Sequence, residues 1–384
     1  MRLLILLALA AFSSSLAVRV LDPLVPQLAR DLATDAGSVA LLASAFAFPC
    51  ALGQPILGPL GDAYGKARTI KICLALLTLG SLAAVFAPSI EILFAARIVS
   101  GFAAGGIVPL CFAMVGDRYG MQDRQVALSR ILSAILIGQL TGAIGAGSIA
   151  SATNWRVVLA ITSVASLIAL AVAWRGLRPL PDALRKPFTL ERMIDNYSSI
   201  LAKPRAVVCF AAVFVEGMAI FGIFPFLAVM LESDGAGSIQ EAGFVISGMA
   251  LGGILYTATV RQILRRINMY SLIRLGGIVC ASGLAALAVL HPWPAKLVAF
   301  VLVGCGFYMI HNSIQTQVTE LAPEARGAAV ALHACSFFLG QAMGPVLYRY
   351  GLAGLGATAT VSISAVVMLI LGFCTAAGFQ NRRA

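Results

Sequence analysis

Charge is scarce in this chain: only 11% of its 384 residues are Asp, Glu, Lys or Arg, where a soluble globular domain carries about a quarter. A water-facing surface cannot be built from so few charges, so a soluble fold is excluded. Histidine occurs three times and acidic residues sixteen times, which leaves few groups for a metal centre or an acid–base enzyme site. The eight cysteines, at 50, 73, 111, 209, 280, 305, 335 and 374, lie in or beside apolar stretches without a CxxC pair or a zinc-like His/Cys spacing, and read as small buried side chains. Basic residues exceed acidic ones by 27 to 16 but form no clustered soluble face, so nucleic acid is not an expected partner.

What the chain has in abundance is apolar sequence, 60% of all residues. A membrane span needs about 20 apolar residues, and such segments occur at 3–29, 38–60, 70–87, 90–115, 126–150, 156–176, 206–231, 240–260, 272–290, 295–317, 327–348 and 354–378. The expectation is an all-α membrane protein of twelve helices. The first 17 residues have the make-up of a secretory signal, yet the apolar pattern continues unbroken through Val18 to Leu28, which favours a retained first span.

Lysine and arginine set the expected orientation. Most of the 27 basic residues fall on one side of the twelve-span pattern, from Arg2, Lys66, Arg68 and Lys71 through Arg118, Arg124 and Arg130 to Arg261, Arg265, Arg266, Arg274 and Arg326. The other side has Arg30, Arg156, Lys296 and Arg349. Both termini are therefore expected in the cytoplasm, with the protein in the cytoplasmic (inner) membrane. The longest polar stretch lies on the same side, so the chain divides into a six-helix bundle over 1–176, a cytoplasmic linker over 177–205 and a second bundle over 206–384. Within the linker, Leu190, Ile194, Tyr197 and Leu201 share one face of a possible surface helix.

The two bundles are related by a shift of 202 residues, which lays Pro23 on Pro225, Arg124 on Arg326, Gly138 on Gly340, Gln139 on Gln341 and Gly142 on Gly344. This is the signature of a duplicated unit, and repeat-built carriers hold their substrate near the midplane between repeats. A carrier is thus favoured over a receptor or a membrane enzyme.

Three motifs support a family resemblance. Gly58-Pro59-Leu60-Gly61-Asp62-Ala63-Tyr64-Gly65-Lys66-Ala67-Arg68 resembles the G-x-L-x-D-R-x-G-R-R/K loop of the major facilitator superfamily. Arg97-x-x-x-Gly101 in span 4 looks like that superfamily's R-x-x-x-G motif, and Gly138-x-x-x-Gly142 in span 5 is similar to the antiporter motif of its twelve-helix drug:proton antiporter branch. The chain departs at Ala63, where the loop has arginine, and at Ala143, where the antiporter motif has proline. The resemblance implies a gating motif of Gly58, Asp62, Gly65, Lys66 and Arg68, with Asp62 latching the cytoplasmic side. GDAYGKA is not a phosphate loop, because its spacing is one residue short and Ala67 replaces Ser/Thr, so no nucleotide cofactor is implied.

Charges within spans are the strongest functional signal, since each costs about 2.5–3.5 kcal/mol at a helix centre. Asp22, Glu216 and Arg97 are the expected proton-coupling residues. Glu216 has no obvious basic neighbour at its depth, whereas Arg97 and Arg19 can reach Asp22; Arg19 and Asp22 can also form a purely local pair. Candidates for lining a cavity are Arg19, Gln139, Phe224, Tyr256, His311, Asn312, Gln315, His333, Phe337 and Gln341. The expected activity is secondary transport of a small organic solute, as a monomer in the lipid bilayer with protons as coupling partner and efflux as direction. The alternatives are uptake or facilitation on the same fold, or a non-transporting sensor or enzyme on a carrier scaffold.

Overall fold

The computed structural model describes residues 2–178, 189–322 and 325–381. Every regular element among them is helical. Eleven helical segments are long and apolar enough to cross a membrane, and the last, Arg326–Gln380, has 55 residues. Two helices meet within it at Gly356, whose backbone (φ 81°, ψ 170°) is not helical, so the described chain makes twelve crossings. The reason for helices throughout is the solvent: in hydrocarbon every backbone N–H and C=O must bond within its own segment.

The chain falls into two compact units, Met1–Met193 and Ile194–Ala384. The first contains α1 (Arg2–Arg19), α2 (Val25–Asp31), α3 (Ala36–Tyr64), α4 (Lys66–Val85), α5 (Ile90–Arg118), α6 (Met121–Ala152) and α7 (Trp155–Gly176). Helix α8 (Leu190–Leu201) lies within the expected linker and follows the undescribed stretch 179–188, which also belongs to it. The second unit contains α9 (Pro204–Phe221), α10 (Leu227–Ser233), α11 (Ile239–Ile263), α12 (Met269–Val289), α13 (Trp293–Leu321) and α14 (Arg326–Asn381). Polar caps start several helices: Asp35 accepts from the Ser38 N–H at 2.8 Å, and Ser238 with Glu241 forms a capping box.

The first span of each unit is broken. A 3-10 turn at Asp22–Leu24 separates α1 from α2, and one at Phe224–Phe226 separates α9 from α10. Pro23 and Pro225 sit in these turns; each lacks an N–H and stops the helix before it. The two turns lie 202 residues apart, as do α2 and α10. The same register governs packing. A Cβ on Gly138 would lie 2.6 Å from the Phe12 carbonyl oxygen, and one on Gly142 2.8 Å from that of Leu16. In the second unit Gly340 abuts Phe214 O in the same way, and Gly344 would bring a Cβ to 2.7 Å from Met218 O. Only glycine allows the backbones of α6 and α1, or of α14 and α9, to approach this closely.

Three expectations change. The stretch 58–68 is not an open loop: α3 runs to Tyr64 and α4 starts at Lys66, so Gly65 alone joins them, with φ 100° and ψ 120°. The cysteines are not uniformly buried, since Cys305 and Cys335 are half-buried and Cys374 is exposed. Helix α13 extends to Leu321, four residues past the expected end of span 10, and this moves the depth of everything on it.

Candidate functional site

In the first unit the break in span 1 gathers charge. Arg19 Nη1 lies 3.3 Å from Asp22 Oδ2, and both side chains are buried. The local pair expected as a rival to an Asp22–Arg97 contact is therefore the one formed. Arg97, on α5, instead donates from Nη1 to the Ala17 carbonyl at 2.8 Å and from Nε to the Leu42 carbonyl at 3.4 Å. Its guanidinium stands 4.1 Å over the Phe46 ring. The physical cause is the end of α1: with Pro23 closing the helix, its last carbonyls have no N–H partner, and a cation is favoured at a helix C-terminus. Arg97 still acts electrostatically on Asp22, so Arg19, Asp22 and Arg97 form one buried group of two cations and one anion.

The second unit solves the equivalent backbone position differently. Ala219 is the counterpart of Ala17, and its carbonyl accepts from the Tyr348 hydroxyl at 2.9 Å, with Ser364 Oγ 2.7 Å from the same hydroxyl. Arg19 and Asp22 correspond to Phe221 and Phe224, whose rings are 4.9 Å apart. Phe221 also meets Phe307 and Phe337 edge-on at 5.4 and 5.3 Å. One unit thus has charge at the break, and the other has an aromatic cluster.

Beside that cluster lies Glu216, fully buried on α9. His311 Nδ1 is 2.9 Å from Glu216 Oε2, which corrects the expectation that nothing basic stands at the depth of this acid. The reason is the longer α13, which sets His311 ten residues from the helix end rather than about six. His311 stacks on Phe307 with ring centroids 4.8 Å apart and lies 5.0 Å from His333 of α14. Glu216 Oε1 and His333 Nε2 are buried without a hydrogen-bond partner.

The other candidates scatter. Tyr256 is buried with Leu272 and Met309 and shares a hydrogen bond with Asn312. Gln315 is exposed and Gln139 half-buried. Gln341 is buried, with its backbone N 3.1 Å from where a Cβ on Gly217 would stand. In the gating motif, Asp62 lies 3.1 Å from Lys66 Nζ, which also bonds Asp117 at 2.6 Å. Asp117, at the end of α5, was not anticipated; its only sequence signal is an acid among basic residues at the end of a span. Lys66 thus stands between two carboxylates, one at the end of α3 and one at the end of α5.

The sequence profile of the Major Facilitator Superfamily matches residues 7–345. An uncharacterized MFS-type transporter of Bacillus subtilis, YwfA, is 25% identical over 96% of this chain and 89% of its own length. Multidrug resistance protein 1 of the same organism is 21% identical over 88% of this chain and 86% of its own. Among solved structures, a D-xylose-proton symporter matches with a TM-score of 0.81 at 15% identity, covering 97% of this chain and 96% of that one.

Proposed function

Because the chain belongs to the Major Facilitator Superfamily, a family of multi-pass membrane transporters and not of enzymes, we propose that it exports a small organic solute from the cytoplasm by alternating access, driven by protons. The observation that carries this reading is a deeply buried carboxyl in the first span of each unit, Asp22 at 2% and Glu216 at 0% exposure. Acids at such depth are costly to keep and mark ion pathways. The direction rests on what similar proteins are named for, a multidrug resistance protein and efflux pumps. Coupling is energetically adequate: one charge moving through about 150 mV yields roughly 3.5 kcal/mol, enough for a gradient of about 300-fold.

In this reading Asp22 and Glu216 are the proton-linked acids, and Arg97 tunes Asp22. Gly58, Asp62, Gly65, Lys66 and Arg68 form the cytoplasmic latch, with both termini on the same side and the protein working as a monomer. A thermal-shift screen of solutes on the purified protein identifies the ligand through its stabilisation of the folded state. Flux of that solute is then followed in oriented vesicles under an imposed pH gradient. Asp22→Asn and Glu216→Gln should abolish proton-driven accumulation yet leave exchange measurable. Full gradient-driven transport in both variants would remove the assignment.

A further inference from the structure

We propose that Glu216, His311 and His333 form a proton relay contained within the second unit, in which a proton shared by Glu216 and His311 is handed to His333. The proposal deepens the proton-coupled reading above and rests on it. Its basis is geometric. Glu216 Oε2 and His311 Nδ1 are 2.9 Å apart, close enough for one proton to be exchanged along the contact. The His311 and His333 rings follow at 5.0 Å. Glu216 Oε1 and His333 Nε2, at the two ends of the series, are buried and bond nothing. Buried polar atoms are almost always paired, so two bare ones bracketing a carboxyl–imidazole contact mark places that a proton or a bound group completes.

The step balances without any other reactant. A proton on Glu216 Oε2 passes to His311 Nδ1, leaving a carboxylate and an imidazolium. His333 Nε2 bonds nothing as the ring stands, so the second transfer follows a turn of the His333 imidazole across the 5.0 Å between the rings: the imidazolium then gives its Nε2 proton to that lone pair, His311 ends neutral in the other tautomer and His333 carries the charge. Among the described residues, the groups facing this series are uncharged phenols, a thiol and an amide. Cys280 of α12 faces Glu216, Tyr348 of α14 stands near Cys280, and Tyr256 of α11 bonds Asn312, the residue next to His311. Phe307 stacks on the His311 ring and Phe337 lies tilted against it, with centroids 4.8 Å away in both cases.

The chain's three histidines make a direct test possible. Protein labelled with carbon-13 and nitrogen-15 histidine, reconstituted in lipid, gives three ring signals, and the exposed His291 is the internal control. The relay requires His311 and His333 to titrate as a coupled pair, and Glu216→Gln to displace both midpoints by about one pH unit or more, a tenfold change in proton affinity, without moving His291. If Glu216→Gln does not accumulate in membranes, His333→Gln must displace His311 alone. Independent titration of the two imidazoles, or midpoints unmoved by the variant that is obtained, overturns the relay. The measurement needs no solute, so a carrier without proton-driven flux would defeat the coupled reading while leaving this result separately visible.

Discussion

At Gly65 the chain turns from α3 into α4 through a single residue with φ 100°, a conformation that costs a residue with a Cβ roughly 1–2 kcal/mol. Gly65→Ala should therefore lower the thermal unfolding temperature in detergent. Gly58→Ala should not, because a Cβ there meets nothing within 4 Å and alanine is the better helix former. An equal loss in both variants would show that the turn is not the strained point. Beside it, Asp62→Asn leaves Lys66 bonded to Asp117 at 2.6 Å. An exposed ion pair is worth about 0–1 kcal/mol, so unfolding should change little while solute flux slows if Asp62 is the latch. Undiminished flux would reduce it to a turn residue. Tyr197 of α8 is half-buried and its burial pushes the phenol up to about 12, so this face of α8 is partly covered, while Leu190, Ile194 and Leu201 stay exposed.

At the scale of helices, the contacts of α6 on α1 and of α14 on α9 are set by glycines in one register. Gly138→Ala would place a methyl 2.6 Å from a backbone oxygen, forcing the helices apart, whereas Gly145→Ala, seven residues on, meets nothing within 4 Å. The first should destabilise by about 1–3 kcal/mol, the usual cost of overpacking, and the second should be neutral, as read from unfolding in detergent. Comparable effects would mean that close approach is not what these glycines supply. This register was legible in the sequence because glutamine and arginine are rare enough in apolar spans for their recurrence to stand out, with the glycines at fixed offsets from them. The breaks after Arg19 and Phe221 were not: Pro23 and Pro225 aligned, but proline is tolerated within membrane helices, and Pro49, Pro55 and Pro59 indeed lie inside α3. Nor was the Glu216–His311 contact legible. Polar Gln315 and Gln317 hid the fact that α13 continues to Leu321, so His311 was placed too near the helix end to meet an acid at the depth of Glu216. The partners of Arg97 escaped for another reason, since backbone carbonyls carry no side-chain signature.

For the whole molecule, span count and family were readable because lipid imposes length and composition directly, while sidedness rests on lysine and arginine alone. A reporter fused after Ala384 should read cytoplasmic, and one inserted near Gly235, in the turn after α10, should read external. A cytoplasmic reading at Gly235 would overturn the orientation. The one-residue connection at Gly65 has a mechanical corollary for a carrier that alternates between two access states. Two helices of 29 and 20 residues joined without slack cannot swing separately; they behave as a stiff bent lever whose elbow is a single pair of torsions. Lengthening that elbow with a few flexible residues would leave each arm helical but uncouple its motion from the other, so the turnover cycle should fail well before the fold does.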